Sequence, residues 1–312
     1  MNDAMPYFDA HCDTVSRCAR DGRSMRENSG HVDLARLAGF NRAAQFFAIY
    51  HNLAYAPEDG MYAVCRRQYE LFSREMERNS DLAVQCVTAD EVVRANEGGR
   101  VAAILSCEGA ELLNCDVEKL EWARDVGIRS INLTWNHANV LCGSHCSEAE
   151  RGLNDYGRAF VREAQKNGIL IDVSHCSDAA FRDLMDVTEK PVLATHSCSR
   201  AVCDQSRNLT DDMFRAVIET GGFVGVNLYA EFVSGGGDAS MEQLLRHFDH
   251  FIELGGEKHV GLGADLDGCD PLAGGLHGVQ DMHLLWEALR EHGYDEALLE
   301  DVFYNNLLRV LK

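Results

Sequence analysis

The stretch VAAILSCEG, residues 101–109, is apolar almost throughout and ends in a glutamate and a glycine. A short apolar run of this kind reads as a strand buried on both faces, the condition of a parallel sheet covered by helices. Seven more runs share the pattern: YFDAHCD (7–13), AAQFFAIY (43–50), SINLTWN (130–136), ILIDVSH (169–175), PVLATHS (191–197), FVGVNLY (223–229) and VGLGADLDG (260–268). Between them, segments such as PEDGMYAVCRRQYELFSREMERN, GRAFVREAQKNG and SMEQLLRHFDHFIELGG carry apolar residues at helical spacings of three and four. In the last of these, Met241, Leu244, Leu245, Phe248, Phe251 and Ile252 form one stripe, and Gly255 stands where a helix C-cap belongs. Thr88 with Glu91, and Thr210 with Asp211 and Asp212, supply N-cap chemistry ahead of two further helices.

Strand followed by helix, repeated eight times within roughly 250–300 residues, predicts an α/β chain closed into a (β/α)8 TIM barrel. The competing open, doubly wound sheet wants fewer strands and a nucleotide fingerprint. Gly261-x-Gly263 is followed by Leu266 where that fingerprint needs a glycine. No Pro/Ser-rich linker, repeat or low-complexity segment divides the chain, and Gly235-Gly236-Gly237 reads as a loop tip, so a single domain over residues 1–312 is expected.

A chain of 312 residues with 46% hydrophobic content can bury one large core. Its formal charge of -21 and pI near 4.9 argue against a nucleic-acid partner, because phosphate backbones demand a basic surface. No stretch approaches the roughly 20 apolar residues of a membrane helix. The opening MNDAMPYFDAHCD has neither a basic leader nor an apolar signal core, so a cytoplasmic protein without a membrane anchor is expected. The twelve cysteines sit in apolar runs or helical stretches without a disulfide framework's spacing and are expected as reduced thiols.

The ends of the apolar runs carry the chemistry. His11 and Asp13 close the first, Glu108 the third, His175 the fifth, His196 the sixth and Asp265 the eighth. Alternation on a strand puts His11 and Asp13 on one face with Cys12 pointing away. Singly, each would more often be structural. In a barrel, however, the C-terminal strand ends converge on one mouth, and convergence of all six by chance is much rarer. Oxygen and imidazole ligands without thiolate fit Zn2+, Co2+ or Mn2+, and this set exceeds the needs of one ion. Two ions about 3.5–4 Å apart would use it, with Glu108 as the natural bridge and a water between them, acidified near neutral pH, as the nucleophile of a hydrolase.

With these residues in place, the chain resembles the renal (membrane) dipeptidase family, zinc-dependent dipeptidases among the amidohydrolase-like barrels, in its short bacterial form. The likeness runs over nearly the whole chain through FDAHCDT, HVDLARLAGF, SCEGAE, INLTWNHAN, ILIDVSHCSD, THSCSRAVCDQSRNLTDDM, GLGADLDG and NNLLRVL. It implies two Zn2+ per chain, one served by His11, Asp13 and Glu108 and the other by Glu108, His175 and His196. It further implies that Arg207 grips the substrate's carboxylate, a role that suits its planar fork. Asp265 would face the free amine and help move protons at the scissile nitrogen. Free dipeptides are the implied substrates, with a D-residue tolerated at the C-terminal position, and a homodimer is the implied assembly.

One departure stands out. Better-known members carry a histidine directly after the Leu-Thr of the fourth apolar run, where it holds the substrate carbonyl or the developing oxyanion, and here that position is Trp135. His137, two residues on, is the candidate to take over that catalytic and substrate-binding role, and Trp135 either lines the pocket or is core. His247 and His250, three apart on a helix, read as a solvated pair. Cys198 reads as a buried inert thiol. Two other functions compete: a related amidohydrolase acting on another small amide or lactam, and a catalytically silent metal-binding homologue.

Overall fold

The computed structural model describes residues 5–312. Nine strands run in parallel: β1 (Pro6–Cys12), β2 (Arg42–Tyr50), β3 (Ala83–Gln85), β4 (Val101–Glu108), β5 (Ile128–Asn132), β6 (Leu170–Asp172), β7 (Val192–Ala194), β8 (Phe223–Val226) and β9 (Val260–Leu262). Eight of them close a ring in the order β1-β2-β4-β5-β6-β7-β8-β9, with β9 paired back to β1. These are the eight apolar runs of the sequence, and helices cover them outside. The chain is a (β/α)8 barrel.

The ninth strand has a simple cause. β5 pairs with β4 only from Leu105 onward, which leaves the same edge of β4 open over Val101–Ala103, and β3 fills it. Ala83-Val84-Gln85 is too short to announce itself as a strand.

The buried residues divide into two clusters. Phe8, Ala10, Phe46, Ile104, Leu193 and Phe223 from the strands meet Tyr304, Leu307 and Leu311 from the C-terminal segment. The larger cluster lies between strands and helices, where Phe160, Val161 and Ala164 of one helix and Phe248 and Phe251 of another are buried. Thr88 and Glu91 form the expected reciprocal capping box, Thr210 accepts from the amide of Met213, and Gly255 adopts φ 92° just past its helix. Among the described residues, no helix is long and apolar enough to cross a membrane.

Two features of β1 prepare the site. Its register against β2 slips between Asp9 and Cys12, a bulge that re-aims the following side chains. Phe8 and Ala10 pack in the smaller cluster while Cys12 joins the outer one, which leaves His11 and Asp13 together at the mouth. The second feature is the seam with β9, where strand pairing reduces to Asp9 opposite Leu262 and a bridge at Cys12 and Leu266. The Asp9 carboxylate staples this seam. Its Oδ1 accepts from the amides of His11 (3.0 Å) and Ala264 (3.1 Å), and the amide of Asp13 donates to the carbonyl of Leu266 (2.9 Å).

Candidate metal centre

β6, β7 and β9 are short, and the chain turns soon after them. The ligand-type residues His175, His196 and Asp265 therefore sit in loops just beyond the strand ends, not on the strands themselves. His175 (φ 73°) and Asp265 (φ 56°) hold the left-handed conformation, which costs an L-residue about 1–2 kcal/mol and turns each side chain sharply. The carbonyl of His175 accepts from the amide of His145 (2.9 Å), which fixes that turn.

Six of the predicted residues converge. His11, Asp13 and Glu108 offer ligand atoms within 4.8 Å of one another, as do Glu108, His175 and His196, and also His11, His196 and Asp265. All are buried except Asp265, which is partly so. Glu108 reaches both sides: Oε1 lies 2.9 Å from His175 Nε2 and 3.4 Å from His196 Nε2, and Oε2 lies 3.7 Å from His11 Nε2.

Ring tautomers follow from the partners on the far side of each imidazole. Asn136 Oδ1 can only accept, so His175 Nδ1 donates to it (2.8 Å). The Thr195 hydroxyl donates to Asp172 Oδ2 and so accepts from His196 Nδ1 (2.8 Å). Burial, followed by the nearby Arg207 charge, pulls His175 down to about 4. Burial, with the His11 and Arg207 charges, carries His196 well below its usual range. Both rings are then neutral, and both Nε2 atoms present lone pairs, only 3.0 Å apart and facing Glu108 Oε1. Lone pairs crowded so closely fit a cation between them.

The first group carries the same signature. His11 Nε2 and Glu108 Oε2 are buried without hydrogen-bond partners. Burial and the neighbouring carboxylate of Glu108 raise Asp13 well above the carboxylate range, and burial lifts Asp265 to about 6. Burial works against a charge on His11, but Glu108, Asp13 and Asp265 outweigh it and push the ring to about 10. The proton it then holds stands where a metal cation would neutralise these carboxylates. The donor set therefore suits a pair of divalent ions.

Several supports were not singled out in the sequence. Asp172 Oδ1 accepts from the amides of Ser174 (2.9 Å) and Thr195 (3.0 Å), so one carboxylate organises the loops carrying both His175 and His196. Asn227 Nδ2 donates to Asp265 Oδ2 (3.1 Å). Asn136 Oδ1 also accepts from His145 Nε2 (2.9 Å), whose Nδ1 accepts from the Ser206 hydroxyl (3.0 Å), next to Arg207. Asp9, Asp172 and Asn227 left a visible signal as polar residues inside otherwise apolar runs. Asn136 left none. Asn136→Ala is expected to weaken binding of a divalent metal at this cluster about 10–100-fold while the barrel stays folded, as measured by titration against a competing chelator with circular dichroism alongside.

Gly268 packs directly against the first group. A Cβ there would lie 2.2 Å from Asp265 Oδ1 and 2.4 Å from Asp13 Oδ2. Gly268→Ala is therefore expected to force both carboxylates outward and lower the bound divalent metal below that of the parent protein after identical loading, a change metal analysis would detect.

Arg207 is 4% exposed, with Nη1 donating to the Ser197 hydroxyl (2.9 Å) and its guanidinium 5.7 Å from the Phe232 ring. Its Nε and Nη2 have no partners, no carboxylate lies at ion-pair distance among the described residues, and burial draws its pKa down. Trp135 and His137 lie past the end of β5, so strand alternation does not relate them. The Trp135 ring sits 5.0 Å from Tyr50 and 6.1 Å from His175, on the wall of the mouth. The His137 ring is beside Trp135, with Nε2 at 3.0 Å from Asn52 Oδ1. His247, read as solvated, is instead fully buried: Nδ1 accepts from the amide of Ser199 (3.0 Å) and Nε2 donates to the carbonyl of Val233 (3.0 Å). It ties a helix to the loop that carries His196 and Arg207. Cys198 is buried, as expected.

Comparison with known proteins identifies the family and its fold. Residues 1–312 match the membrane dipeptidase family, peptidase family M19. The dipeptidase aclJ of Aspergillus oryzae is 32% identical over 293 residues, covering 90% of this chain and 69% of the relative. A crystal structure of a metallopeptidase from Rhodobacter sphaeroides, liganded with a phosphinate mimic of the dipeptide L-Ala-D-Ala, superposes with a TM-score of 0.89 at 29% identity over 99% of both chains. That of the dipeptidase AC, an M19 metallopeptidase, gives a TM-score of 0.91 at 30% identity over 98% of both. On the match along its whole length, the chain belongs to the membrane dipeptidase family, M19.

Proposed function

We propose that the protein is a binuclear zinc dipeptidase that hydrolyses the peptide bond of free dipeptides, including those with a D-residue at the C-terminal position. The observation that carries this reading is a pair of metal-type ligand groups sharing Glu108, with the buried, unpaired Arg207 guanidinium on a neighbouring loop. His11, Asp13 and Glu108 would hold one ion, and Glu108, His175 and His196 the other. Bound there, two divalent ions supply Lewis acidity and lower the pKa of a water molecule so that it can act as the nucleophile.

The chain's own residues supply the rest. Arg207 has two buried donors free for a ligand, and the substrate's terminal carboxylate satisfies both. Asp265, held through Oδ2 by Asn227, keeps Oδ1 for the substrate amine and would take a proton there and return it to the leaving nitrogen. Trp135 walls the pocket and excludes water. His137, held by Asn52, is the imidazole available on that side to meet the substrate carbonyl.

The direct test is release of free amino acids from L-Ala-L-Ala and L-Ala-D-Ala by chelator-stripped protein before and after zinc is restored. Cleavage that appears only with zinc supports the reading. No cleavage with zinc restored and bound overturns it.

A further inference from the structure

Tyr50 ends β2 and pairs in register with Glu108, the last residue of β4. Residues two apart on a strand share a face. Ala44 and Phe46 lie with Ala102 and Ile104 in the smaller cluster, whereas Phe47 and Ile49 lie with Leu105 and Cys107 in the outer one. The alternation therefore turns Tyr50, like Glu108, toward the barrel axis at the mouth. Its ring stands 5.0 Å from that of Trp135. Because β2 and β5 flank β4 in the ring, these two side chains meet across the strand that ends in Glu108.

After burial, the groups that act most on the Tyr50 hydroxyl are the carboxylates of Glu108, Asp13, Glu111 and Asp265, and all of them hold its proton in place. The hydroxyl has no hydrogen-bond partner among the described residues. A half-buried phenol that faces the ligand cluster with its O–H uncommitted has a donor to offer a bound molecule.

The neighbouring rings are less suited to that task. Arg207 follows β7, across the ring from β2, and Asp265 follows β9, so the ring side chains on the β2 to β5 side are Tyr50, Trp135 and His137. Asn52 Oδ1 accepts from the Ala54 amide (2.9 Å), which identifies it as the oxygen, so His137 Nε2 donates to it (3.0 Å). In the neutral ring Nδ1 then carries a lone pair. His137 can offer a carbonyl a donor only by leaving Asn52 or by taking a second proton. Trp135 stands on a loop past β5, and an indole N–H is less acidic than a phenol. Tyr50 brings the stronger donor on the firmer support.

We propose that the Tyr50 hydroxyl donates a hydrogen bond to the oxygen of the scissile carbonyl, a bond that strengthens as that oxygen gains negative charge in the tetrahedral state. The proposal rests on the dipeptidase reading above and adds a catalytic residue to it. No proton leaves Tyr50: the C=O bond opens to a single bond, its electron pair gathers on the oxygen, and the double bond re-forms when the C–N bond breaks.

Tyr50→Phe removes one oxygen and keeps the ring against Trp135, which makes it the test. In the metal-loaded variant, kcat for L-Ala-L-Ala is expected to fall about 100-fold with KM changed by no more than about three-fold. A phosphinate mimic of L-Ala-D-Ala, tetrahedral and charged where the carbonyl was, should lose affinity by a similar factor in calorimetry. Bound metal and the circular dichroism spectrum should match the parent. An undiminished kcat, a loss confined to KM, unweakened phosphinate binding or a fall in bound metal would each overturn the proposal and leave the dipeptidase reading standing. The same losses in Trp135→Phe but not in Tyr50→Phe would move the donor to the indole and overturn it as well. Parent protein that cleaves no dipeptide with metal bound removes the dipeptidase reading itself, and the proposal with it.

Discussion

Glu108→Gln is expected to lower kcat/KM for L-Ala-L-Ala by about three orders of magnitude and to reduce bound zinc below two per chain, with the circular dichroism spectrum unchanged. The size of the effect follows from position. One carboxylate faces His11 through Oε2 and both His175 and His196 through Oε1, so its loss removes a shared ligand and a full negative charge from both groups. Glutamine is close to isosteric, and Glu108 ends a strand paired with β2 along its whole upper length, so the backbone has little cause to move. The amide would instead set an N–H donor or a weaker neutral oxygen against the Nε2 lone pairs of His175 and His196. Metal analysis and steady-state kinetics on the same preparation check it; full activity with two zincs retained would remove Glu108 from the bridging role.

Arg207→Met is expected to cut kcat/KM for free dipeptides by about two to three orders of magnitude, yet to leave the ligand-free protein as stable as the parent or more so. A buried guanidinium with two unpartnered donors destabilises the empty fold, and methionine of similar length removes that burden while filling the space above Phe232. The comparison substrate is a dipeptide C-terminal amide, which offers Arg207 no carboxylate. Its hydrolysis should already be slow with the parent and change only a few-fold in the variant. Equal losses on acid and amide, or a fall of several degrees in Tm, would show that Arg207 holds its loop together and does not hold substrate.

Much of this architecture is legible in the sequence because burial on both faces writes an unbroken apolar run, and eight such runs separated by helical stripes admit few closed solutions. The ligand residues are legible for a related reason: His11, Glu108 and Asp265 interrupt or end those runs where an apolar residue would satisfy packing alone. What escaped reading depends on contacts between distant segments. β3 exists only because β5 starts late along β4. Asn136 gains its role from facing His175 and His145, and His247 from lying under the amide of Ser199, relations that helical or strand periodicity does not encode.

The Asp9 staple has a consequence for how the molecule is made. The first strand of the barrel can be closed only by residues near Ala264 and Leu266, so its apolar edge waits for nearly the whole chain to be synthesised. At about 5–20 residues per second that wait is roughly 10–50 s, long enough for the nascent segment to need shielding from other chains. Truncation anywhere before the β9 loop leaves the same edge open permanently and should yield aggregates instead of a smaller folded core. Because His11 and Asp265 lie on opposite sides of that seam, the complete cluster of acidic and imidazole groups comes into being only at the end of translation. Cofactor acquisition then belongs to the nearly finished polypeptide, after the ring has shut.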